Sequence, residues 1–449
     1  MRLVLQKEWL MWIITIIVLF AFTIILHKQV LGVSYLHAED GKYFVSDFFE
    51  NGWGSLFYLQ GGYFVVLSRL IAGIAVSIGG MFGSVLLVSD TIEILSTLFL
   101  AVTFAWFVSN SFQDIIPRRR WRLVIAILSI ALIGNFYAIL YNGVGIHWVC
   151  GVLVFLVGLK LLNKKLPEWY MMPLVLISIL SSASAIVIGF AIVYYLWVVL
   201  DLKHLKKIRN NFKKVKIIDM VKIGLLILCL LAQVCAILFL GKTTEATSNV
   251  ITLRGLGEVV VGSFELTFSS MPFLFGKAFY VGMVTMGTKV VTLCGVIMWL
   301  SVMGFAIKFK KVKYVIFAFL AMFSVHFMTL FKGVTTTQVE DIMCNPVNFY
   351  HVFAAVTCLI IVAIVFYDCY TKKQYAFLMF GAMLLILAFY CADLEDIDLK
   401  PNKQLEAVET YIEYGSENYA EVPITPYGEW TVKVPVKIEY CEEHKCVSR

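Results

Sequence analysis

The stretch from Trp9 to Leu26 reads WLMWIITIIVLFAFTIIL and contains no charged residue. An α-helix rises about 1.5 Å per residue and bonds its own backbone, so about 20 such residues cross the ~30 Å hydrocarbon core of a bilayer. Runs of the same character recur at 223–240 and 375–390. These stretches predict a chain that crosses a membrane many times.

The composition of the 449-residue chain excludes an ordinary soluble protein, since 60% of its residues are hydrophobic, 15% are charged and the mean hydropathy is +0.86. Arg2 and Lys7 precede the first apolar run, as in a secretory signal peptide, but no small-residue cleavage site follows Leu26. We therefore expect this run to be retained as the first transmembrane helix.

Basic residues lie in short loops between apolar runs, so the formal charge of +7 indicates membrane topology and not a nucleic-acid partner. Cytoplasmic loops of membrane proteins carry an excess of lysine and arginine, which places five basic clusters in the cytoplasm. The clusters lie at 118–122, 164–165, 203–222, 308–313 and 372–373.

Placing every basic cluster inside fixes a topology of eleven spans, with a cytoplasmic N-terminus and an extracytoplasmic C-terminus in the plasma membrane. The fold class that follows is an all-α integral membrane protein with about 11 transmembrane helices. A polytopic domain at 1–392 precedes a small extracytoplasmic tail at 393–449. The predicted spans are 9–27, 86–108, 123–141, 146–162, 169–183, 185–200, 223–240, 289–307, 314–332, 350–368 and 375–391.

The first outer loop, 28–85, and the outer segment 241–288 each contain an apolar stretch, at 56–84 and 259–285. Counting the first of these as a span would move later basic clusters outside. Charged residues and a proline interrupt the second. We expect both to form interfacial helices or hairpins on the outer face.

The tail from Asp393 to Arg449 has thirteen acidic and six basic residues, and acidic residues have little influence on orientation. VPITPYGEW at 422–430, followed by the alternating TVKVPVKIE, predicts a turn, a strand and hence a small folded cap. Cys441 and Cys446 can pair there, although Cys344 offers another thiol on the same face.

Two adjacent carboxylates, Glu39 and Asp40, follow the first predicted span on the outer face. Like charges this close repel each other, and partial burial raises the pKa of at least one, which favours a proton acceptor near neutral pH. The pair is therefore a candidate general base. A solvated acidic loop or a helix N-cap is the alternative interpretation.

The carboxylate pair belongs to a longer pattern in the first outer loop, made of EDG at 39–41, FFENGWGSLF at 48–57, GGYF at 61–64 and LSRLIA at 67–72. This pattern resembles a group of bacterial membrane proteins that are similar to GT-C glycosyltransferases. Thinner likenesses are NGVGIHW at 142–148, SSASA at 181–185 and VPITPYGEW at 422–430.

The resemblance implies a GT-C-like fold and a glycosyltransferase that takes a sugar from a polyprenyl-phosphate carrier at the outer face. It also implies that an acidic residue of the first outer loop, Asp40 or Glu39, is the catalytic base. The implied acceptor is a cell-envelope glycan or glycolipid, as in the assembly of cell wall polysaccharide.

A lipid-phosphate donor needs cationic side chains at the outer membrane surface. The resembling proteins commonly have an Arg-Tyr-Phe element where this chain has Asn-Phe-Tyr-His at 348–351, so His351 or another cation would take the place of that arginine. Each candidate also fits a snorkelling interface anchor. The candidate phosphate ligands are Arg69, Arg254, Lys277, Lys289 and His351, and further cations on this face are Lys242 and Lys332.

His147 and Trp148, at the outer end of a predicted span, and Tyr63 are candidate ligands for the sugar or the acceptor. Aromatic faces stack on the apolar faces of pyranose rings, while a neighbouring polar group bonds to hydroxyls. The same residues, with Trp53 and Tyr58, also fit an interfacial aromatic belt.

No cofactor is predicted, because the seven histidines show no metal-ligand spacing and no nucleotide-binding fingerprint occurs in a strand–turn–helix setting. A second acidic pair on the outer face, Glu340 and Asp341, leaves a divalent cation open.

These features predict an inverting membrane glycosyltransferase that needs a polyprenyl-phosphate-linked sugar, an envelope acceptor and a lipid bilayer. One alternative is a transporter or flippase of a lipid-linked or envelope precursor, and another is a non-catalytic envelope-assembly subunit. Transporters commonly hold ionisable residues at mid-membrane, and the predicted spans contain few. The polar residues within or beside the predicted spans include Asp90, Glu93, Gln233 and His326.

Overall fold

The structure is a computed structural model, and it is predominantly α-helical. It describes residues 2–26, 36–134, 142–143, 145–200, 216–240, 253–331, 339, 342–344, 350–370, 402–424 and 430–448. The helices are α1 (Arg2–Leu26), α2 (Ser46–Asn51), α3 (Val66–Phe82), α4 (Leu86–Val108), α5 (Arg119–Gly134), α6 (Ile146–Leu162), α7 (Met172–Ile179), α8 (Val187–Val199), α9 (Ile217–Cys235), α10 (Leu253–Ser269), α11 (Lys277–Met286), α12 (Thr288–Lys308), α13 (Val312–Phe331), α14 (Tyr350–Tyr370), α15 (Lys403–Val408) and α16 (Ile438–Glu443). The strands are β1 (Leu59–Gln60), β2 (Tyr63–Phe64), β3 (Asn418–Pro423), β4 (Thr431–Pro435) and β5 (Cys446–Ser448).

Several described helices have the length and apolarity of membrane spans, which is consistent with a membrane-embedded chain. α3, α6 and the stretch Val352–Tyr367 of α14 are shorter apolar helices. The total of eleven spans stays a prediction, and the predicted span at 375–391 lies outside the described residues. The five long apolar helices are Glu8–Leu26, Leu86–Val108, Ile217–Phe239, Thr288–Lys308 and Val312–Phe331.

A broken helix pair occupies the region where the sequence predicts two spans at 169–183 and 185–200. Trp169–Ile179 and Ala183–Val199 are bent by 114° relative to each other, so together they form one broken span or a re-entrant loop. The break leaves backbone groups that another segment uses. Leu180 O accepts a hydrogen bond from Val66 N at 3.1 Å, and Ser181 Oγ accepts one from Leu67 N at 2.7 Å. The break therefore satisfies the first amides of α3.

Several basic loops meet at one end of the helix bundle, here called the basic end. Arg119 in the first turn of α5 pairs with Glu8 of α1 at 3.9 Å. Lys313 in the first turn of α13 donates to the last carbonyl of α6 at 2.8 Å. At the end of α4, Trp106 Nε1 donates to Glu168, in the loop after α6, at 2.9 Å.

The C-terminal tail packs at the opposite end of the bundle, here called the tail end. Val85 N, beside the start of α4, donates to Glu409 at 2.9 Å, and the Tyr414 hydroxyl donates to Ser84 O at 3.0 Å. Because Trp106 lies in the last turn of the 23-residue helix α4, about 30 Å separates these contacts from Trp106. The tail and the basic loops therefore lie at opposite ends. Which end faces the cytoplasm stays a prediction.

The tail contains a three-stranded antiparallel sheet in the order β4-β3-β5. Alternate residues of β3 and β4, among them Val422, Val432 and Val434, are fully buried or nearly so, as the alternating sequence pattern predicts. Cys441 at the end of α16 forms a disulfide with Cys446 at the start of β5. The sequence had left this pairing open.

A short hairpin in the first outer loop is held by a side chain from a candidate span. β1 and β2 pair across Gly61 and Gly62, whose φ angles of 57° and 80° suit a tight hairpin turn that favours glycine. The backbone N and O of Phe64 each form a 3.1 Å hydrogen bond with the amide of Gln233 in α9, which is 1% exposed. Gln233 thus completes the hairpin edge as a further strand would.

Both ends of α3 contact elements of the tail end. Near its first turn, Arg69 binds Asp47 of the first outer loop at 2.8 Å, and near its last turn the Cα of Gly79 lies close to Tyr414 of the tail. Both ends of α3 therefore lie near elements of the tail end, and the interfacial placement expected for 56–84 stays a prediction.

α10 crosses α12 with close backbone contact. At Gly295 of α12 the two helices approach so closely that a Cβ would overlap the carbonyl group of Phe268. The Trp299 indole N–H donates to Thr267 O at 3.4 Å one turn further along. Close approach of this kind is a use of glycine that recurs in membrane helix packing.

We expect Gly295→Ala to separate α10 from α12 and to lower the free energy of unfolding by about 1–3 kcal/mol, as overpacking does. Gly304→Ala in the same helix is the matched control, because a Cβ at Gly304 meets no atom within 4 Å. Thermal unfolding of the two variants in detergent measures the difference. A melting temperature of Gly295→Ala equal to or above that of Gly304→Ala would contradict this packing.

Candidate functional site

The Glu39–Asp40 pair lies at the start of a continuous helical stretch in the first outer loop. Asp40 begins a π-helix, Asp40–Val45, which leads directly into α2. The Asp40 amide donates to His37 O at 2.8 Å, and Ser46 Oγ donates to Gly41 O at 2.7 Å. The wide turn of a π-helix recurs at functional sites. Here it directs the side chain of Asp40 into the protein.

Asp40 connects three segments that are distant in sequence. Its side chain is 2% exposed, and its Oδ2 accepts a hydrogen bond from Gly143 N at 2.9 Å. Gly143 O in turn accepts one from Ser68 Oγ at 2.6 Å, in the first turn of α3. A Cβ at Gly143 would lie 3.1 Å from Asp40 Oδ1, so the carboxylate faces this backbone closely. The structure therefore joins the first outer loop to the segment before α6.

Glu39 has a more open environment than Asp40. The residue is half-buried, and burial raises the pKa of its carboxyl above the usual value, while a backbone hydrogen bond lowers it in part. A raised pKa makes the ionised carboxylate a stronger base than a solvated glutamate. Glu39 therefore combines partial exposure with raised basicity.

The three candidate sugar ligands lie in one cluster. The His147 ring centroid is 4.6 Å from that of Trp148 and 6.3 Å from that of Tyr63. Tyr63 reaches this position from the hairpin, and the other two lie in the first turn of α6, four and five residues after Gly143. His147 and Trp148 therefore follow closely after Gly143, whose amide bonds to Asp40. Trp148 is 7% exposed, so most of its ring packs inside the protein.

Arg69 has an internal partner. Its Nη1 donates to Asp47 at 2.8 Å, its Nε donates to Tyr58 O at 2.9 Å, and its guanidinium lies 5.3 Å from the Phe44 ring centroid. Burial raises the pKa of Asp47, and the Arg69 contacts lower it again in part. These contacts connect α3 to the first outer loop. A role for Arg69 on donor phosphate stays a prediction.

The other predicted phosphate ligands lie at helix starts. Lys277 is half-buried as the first residue of α11, and Lys289 is exposed in the first turn of α12. Arg254 and His351 belong to the first turns of α10 and α14, and their side chains lie outside the described part of the structure. Lys242, Lys332, Glu340 and Asp341 also lie outside it.

His351 is the second residue of α14, and this end of α14 lies at the tail end. At the other end of α14, the Tyr367 hydroxyl accepts a hydrogen bond from Arg118 N in a basic cluster, at 3.3 Å. α14 therefore runs from the tail end to the basic end. Near its start, Phe353 packs on Gly151 of α6, about one turn from His147. The backbone of His351 thus lies at the same end as the carboxylate pair.

The tail covers the segment that carries the carboxylates. A Cβ at Gly41 would overlap the end of the Ile424 side chain and would lie 3.2 Å from Val432. Lys433 forms a 2.8 Å ion pair with Glu50, and its amide donates to Ser46 Oγ at 2.9 Å. The tail sheet is therefore part of the structure around Asp40.

Sequence reasoning missed the residues that connect these elements. Ser68, Asp47 and Gly143 are short or unremarkable side chains in sequence, and only their hydrogen bonds to distant segments show their role. Ser68 and Gly143 do lie within LSRLIA and NGVGIHW, two of the patterns noted above. The two patterns therefore included these connecting residues, but the predicted ligands were their neighbours Arg69, His147 and Trp148.

Metal-binding groups of three or more His, Cys, Asp or Glu residues do not occur among the described residues. The proposal of a divalent cation at Glu340 and Asp341 lies outside this part of the chain.

No protein-family model, curated protein or solved structure matches this chain. The likeness to GT-C glycosyltransferases thus rests on the sequence patterns alone.

Replacing Gly41 tests the contact between the tail and the first outer loop. We expect Gly41→Leu to displace Ile424 and Val432 and to increase the rate of limited proteolysis of the tail by about 5- to 150-fold, because overpacking costs about 1–3 kcal/mol. Gly54→Leu in the same loop is the matched control, since a Cβ there meets no atom within 4 Å. Equal cleavage of the two variants would show that the tail does not dock on Gly41.

The histidine next to the carboxylates predicts a pH effect. Burial lowers the pKa of His37 to about 4, against a usual value of 6.5. Between these values only the unfolded chain binds the proton, so His37 destabilises the fold progressively as pH falls from 6.5 to 4. We expect the melting temperature of the wild type to fall relative to that of His37→Gln over this range. A difference between the two that stays constant with pH would contradict the burial of His37.

Proposed function

We propose that this chain is a GT-C-like membrane glycosyltransferase that moves a sugar from a polyprenyl-phosphate donor to a cell-envelope glycan or lipid acceptor on the outer face. The proposal includes about eleven spans, a cytoplasmic N-terminus and an extracytoplasmic C-terminus. One observation carries it. The buried Asp40 carboxylate binds the backbone of 142–148, the segment that also carries His147 and Trp148.

This arrangement supports the proposal because it combines the two needs of sugar transfer. A general base must lie near an acceptor hydroxyl, and a sugar ring needs aromatic faces with polar groups beside them. The Glu39–Asp40 pair supplies the first need, and Tyr63, His147 and Trp148 supply the second. Both sets lie at the tail end.

The proposed step is a direct displacement at the anomeric carbon. A carboxylate of the pair takes the proton of an acceptor hydroxyl, whose oxygen forms the new bond to the anomeric carbon. The bond from that carbon to the carrier oxygen breaks on the opposite face, and the polyprenyl phosphate leaves with the electron pair. Displacement from the opposite face inverts the anomeric configuration. The step needs no nucleotide sugar.

The two carboxylates have different surroundings and therefore different proposed roles. Glu39 is half-buried with a raised pKa, so it is suited to take the proton. Asp40 is 2% exposed and bonded to Gly143, so it is suited to fix the position of the aromatic segment. The notion that Asp40 is itself the base remains the competing assignment within the same pair.

The departing phosphate needs cationic or hydrogen-bonding groups. Lys289 is exposed at the start of α12, and the backbone of His351 lies at the start of α14 at the tail end. Arg69 has Asp47 and Tyr58 as internal partners, so it is better suited to support the loop than to bind phosphate alone. We therefore assign phosphate binding first to His351 and Lys289, and then to Arg254 and Lys277.

Two features support an extracytoplasmic tail end. The Cys441–Cys446 disulfide lies in the tail, and disulfides persist in oxidising compartments outside the cytoplasm. Arg119, Lys313 and other basic residues gather at the opposite end, as the positive-inside rule requires for a cytoplasmic face.

Removing the base should abolish transfer. We expect Glu39→Gln to slow sugar transfer from a polyprenyl-phosphate hexose by about 100- to 10,000-fold, because general base catalysis contributes a factor of that size. The assay measures polyprenyl phosphate released by purified protein in proteoliposomes. Glu421→Gln is the matched control, since Glu421 is an exposed carboxylate of the tail sheet. Asp40→Asn tests the competing assignment.

The pH profile separates catalysis from folding. Because the pKa of Glu39 is raised, the wild-type rate should fall as acidification protonates that carboxylate, at a pH above the usual glutamate range. The residual rate of Glu39→Gln should lack this fall. Full transfer in both single variants would refute the glycosyltransferase mechanism, and substrate uptake by proteoliposomes in its place would establish the transporter alternative.

A further inference from the structure

A cavity of about 300 Å³ lies at the basic end, remote from the carboxylate pair. It opens where α1 begins, beside the loop that follows α6 and the 3₁₀ turn that precedes α7. Since the candidate span of α1 starts at Glu8, we expect this cavity at the level where lipid headgroups meet water. The residues that define it here are Glu8, Trp9, Trp12, Lys165, Glu168 and Tyr170.

Three aromatic rings form one wall of this cavity. The Trp9 centroid is 5.3 Å from that of Trp12 and 4.9 Å from that of Tyr170, and the Trp12 and Tyr170 centroids are 5.8 Å apart. The ring planes are inclined at 81°, 59° and 63°, as in aromatic pairs that pack edge to face, so the three rings form one packed aromatic surface beside the cavity. The open face of such a ring attracts an ammonium group, most strongly a methylated one.

Two carboxylates line the cavity, and Glu8 is the one that is not already held by a close ion pair. Glu168 bonds to Lys160 and to the Trp106 indole. Burial raises the pKa of Glu168, but the contacts with Lys160 and Trp106 lower it by more. The resulting pKa lies below the usual value, so the carboxylate is ionised at neutral pH. Glu8 lies 3.9 Å from Arg119, which is longer than a hydrogen bond and leaves its oxygens able to accept one from a ligand.

The surroundings indicate which ammonium compound binds. The basic end carries Arg119, Lys165 and other cations, and this positive surface disfavours a small soluble cation. A zwitterionic headgroup avoids this cost, because its phosphate faces the lysine and arginine side chains while its ammonium enters the aromatic wall. Trp9 and Tyr170 are 45% and 42% exposed, so the wall is open towards lipid.

We propose that the cavity between Glu8, Trp9, Trp12 and Tyr170 binds the ammonium headgroup of a zwitterionic phospholipid in the leaflet at the basic end. The site is separate from the proposed glycosyltransferase site and does not depend on it. It fixes the entry of the first helix into the membrane. The competing source of the same chemistry is a soluble amine such as choline.

The test uses the purified full-length protein in detergent and two lipids with the same dioleoyl chains. Dioleoylphosphatidylcholine carries an ammonium group and dioleoylphosphatidylglycerol does not. Native mass spectrometry is expected to show the wild type retaining phosphatidylcholine in preference to phosphatidylglycerol. Tyr170→Leu is expected to weaken phosphatidylcholine binding by about 5- to 30-fold, the range of a cation–π contact. Glu8→Gln is expected to weaken it by a similar factor, because the variant removes the negative charge that faces the ammonium group.

Trp197→Leu is the control, because Trp197 is an aromatic residue of α8 with 47% exposure that belongs to no wall of the cavity. The control should bind phosphatidylcholine like the wild type. Equal binding of both lipids by the wild type, or an equal loss in the control, would overturn the proposal and leave an ordinary aromatic belt. Displacement of the lipid by equimolar choline would overturn the lipid as ligand and assign the site to a soluble amine.

The Glu8→Gln variant keeps the test informative if Tyr170→Leu is unstable. Glu8 has a side chain 39% exposed and only a 3.9 Å ion pair, so its amide replacement leaves the packing unchanged. Melting temperatures measured without added lipid identify any variant that fails to fold. Unchanged binding in a folded Glu8→Gln protein would remove the carboxylate from the site and refute the proposed ammonium contact.

Discussion

The need to bond every backbone amide away from water constrains this structure more than any other interaction. Within a membrane only helices meet that need from their own residues, and any other backbone must find partners in the protein. The first outer loop departs from helical structure at its hairpin and finds these partners in two helices. Gln233 of α9 bonds to Phe64, and the break after α7 bonds to the first amides of α3. The loop is thus hydrogen-bonded to the helix bundle at both of these points.

That anchoring determines the geometry of the candidate site. Once the hairpin is fixed, Tyr63 lies beside His147, and Ser68 reaches Gly143, which also bonds to Asp40. Each contact joins segments that are far apart in sequence, so the carboxylate pair and the aromatic cluster move as one unit. Rigid placement of this kind is what catalysis by a positioned base requires.

Much of the helical pattern was predictable from hydrophobic runs and little of the site was. The helix predicted at 86–108 is found as Leu86–Val108, because a long apolar run has no other stable state in a bilayer. The runs at 169–183 and 185–200 form a broken pair, since the break at Leu180 and Ser181 serves α3, a demand that periodicity does not reveal. The Arg69–Asp47 pair likewise depends on a tertiary approach of α3 and the first loop. The local sequence therefore predicts which residues are charged or aromatic, but the contacts of these residues with distant segments are known only from the tertiary structure.

The docking of the tail onto the first outer loop has a consequence for biosynthesis. Lys433 and Glu50, which form an ion pair, are 383 residues apart in the chain. At about 5–20 residues per second, a ribosome takes roughly 20–80 s to make the intervening chain. During that time the loop has left the ribosome while its cover does not yet exist. A nascent chain therefore holds its carboxylate segment uncovered until Ile424 and Lys433 have been synthesised, and a chain that stops before them exposes that segment to proteolysis.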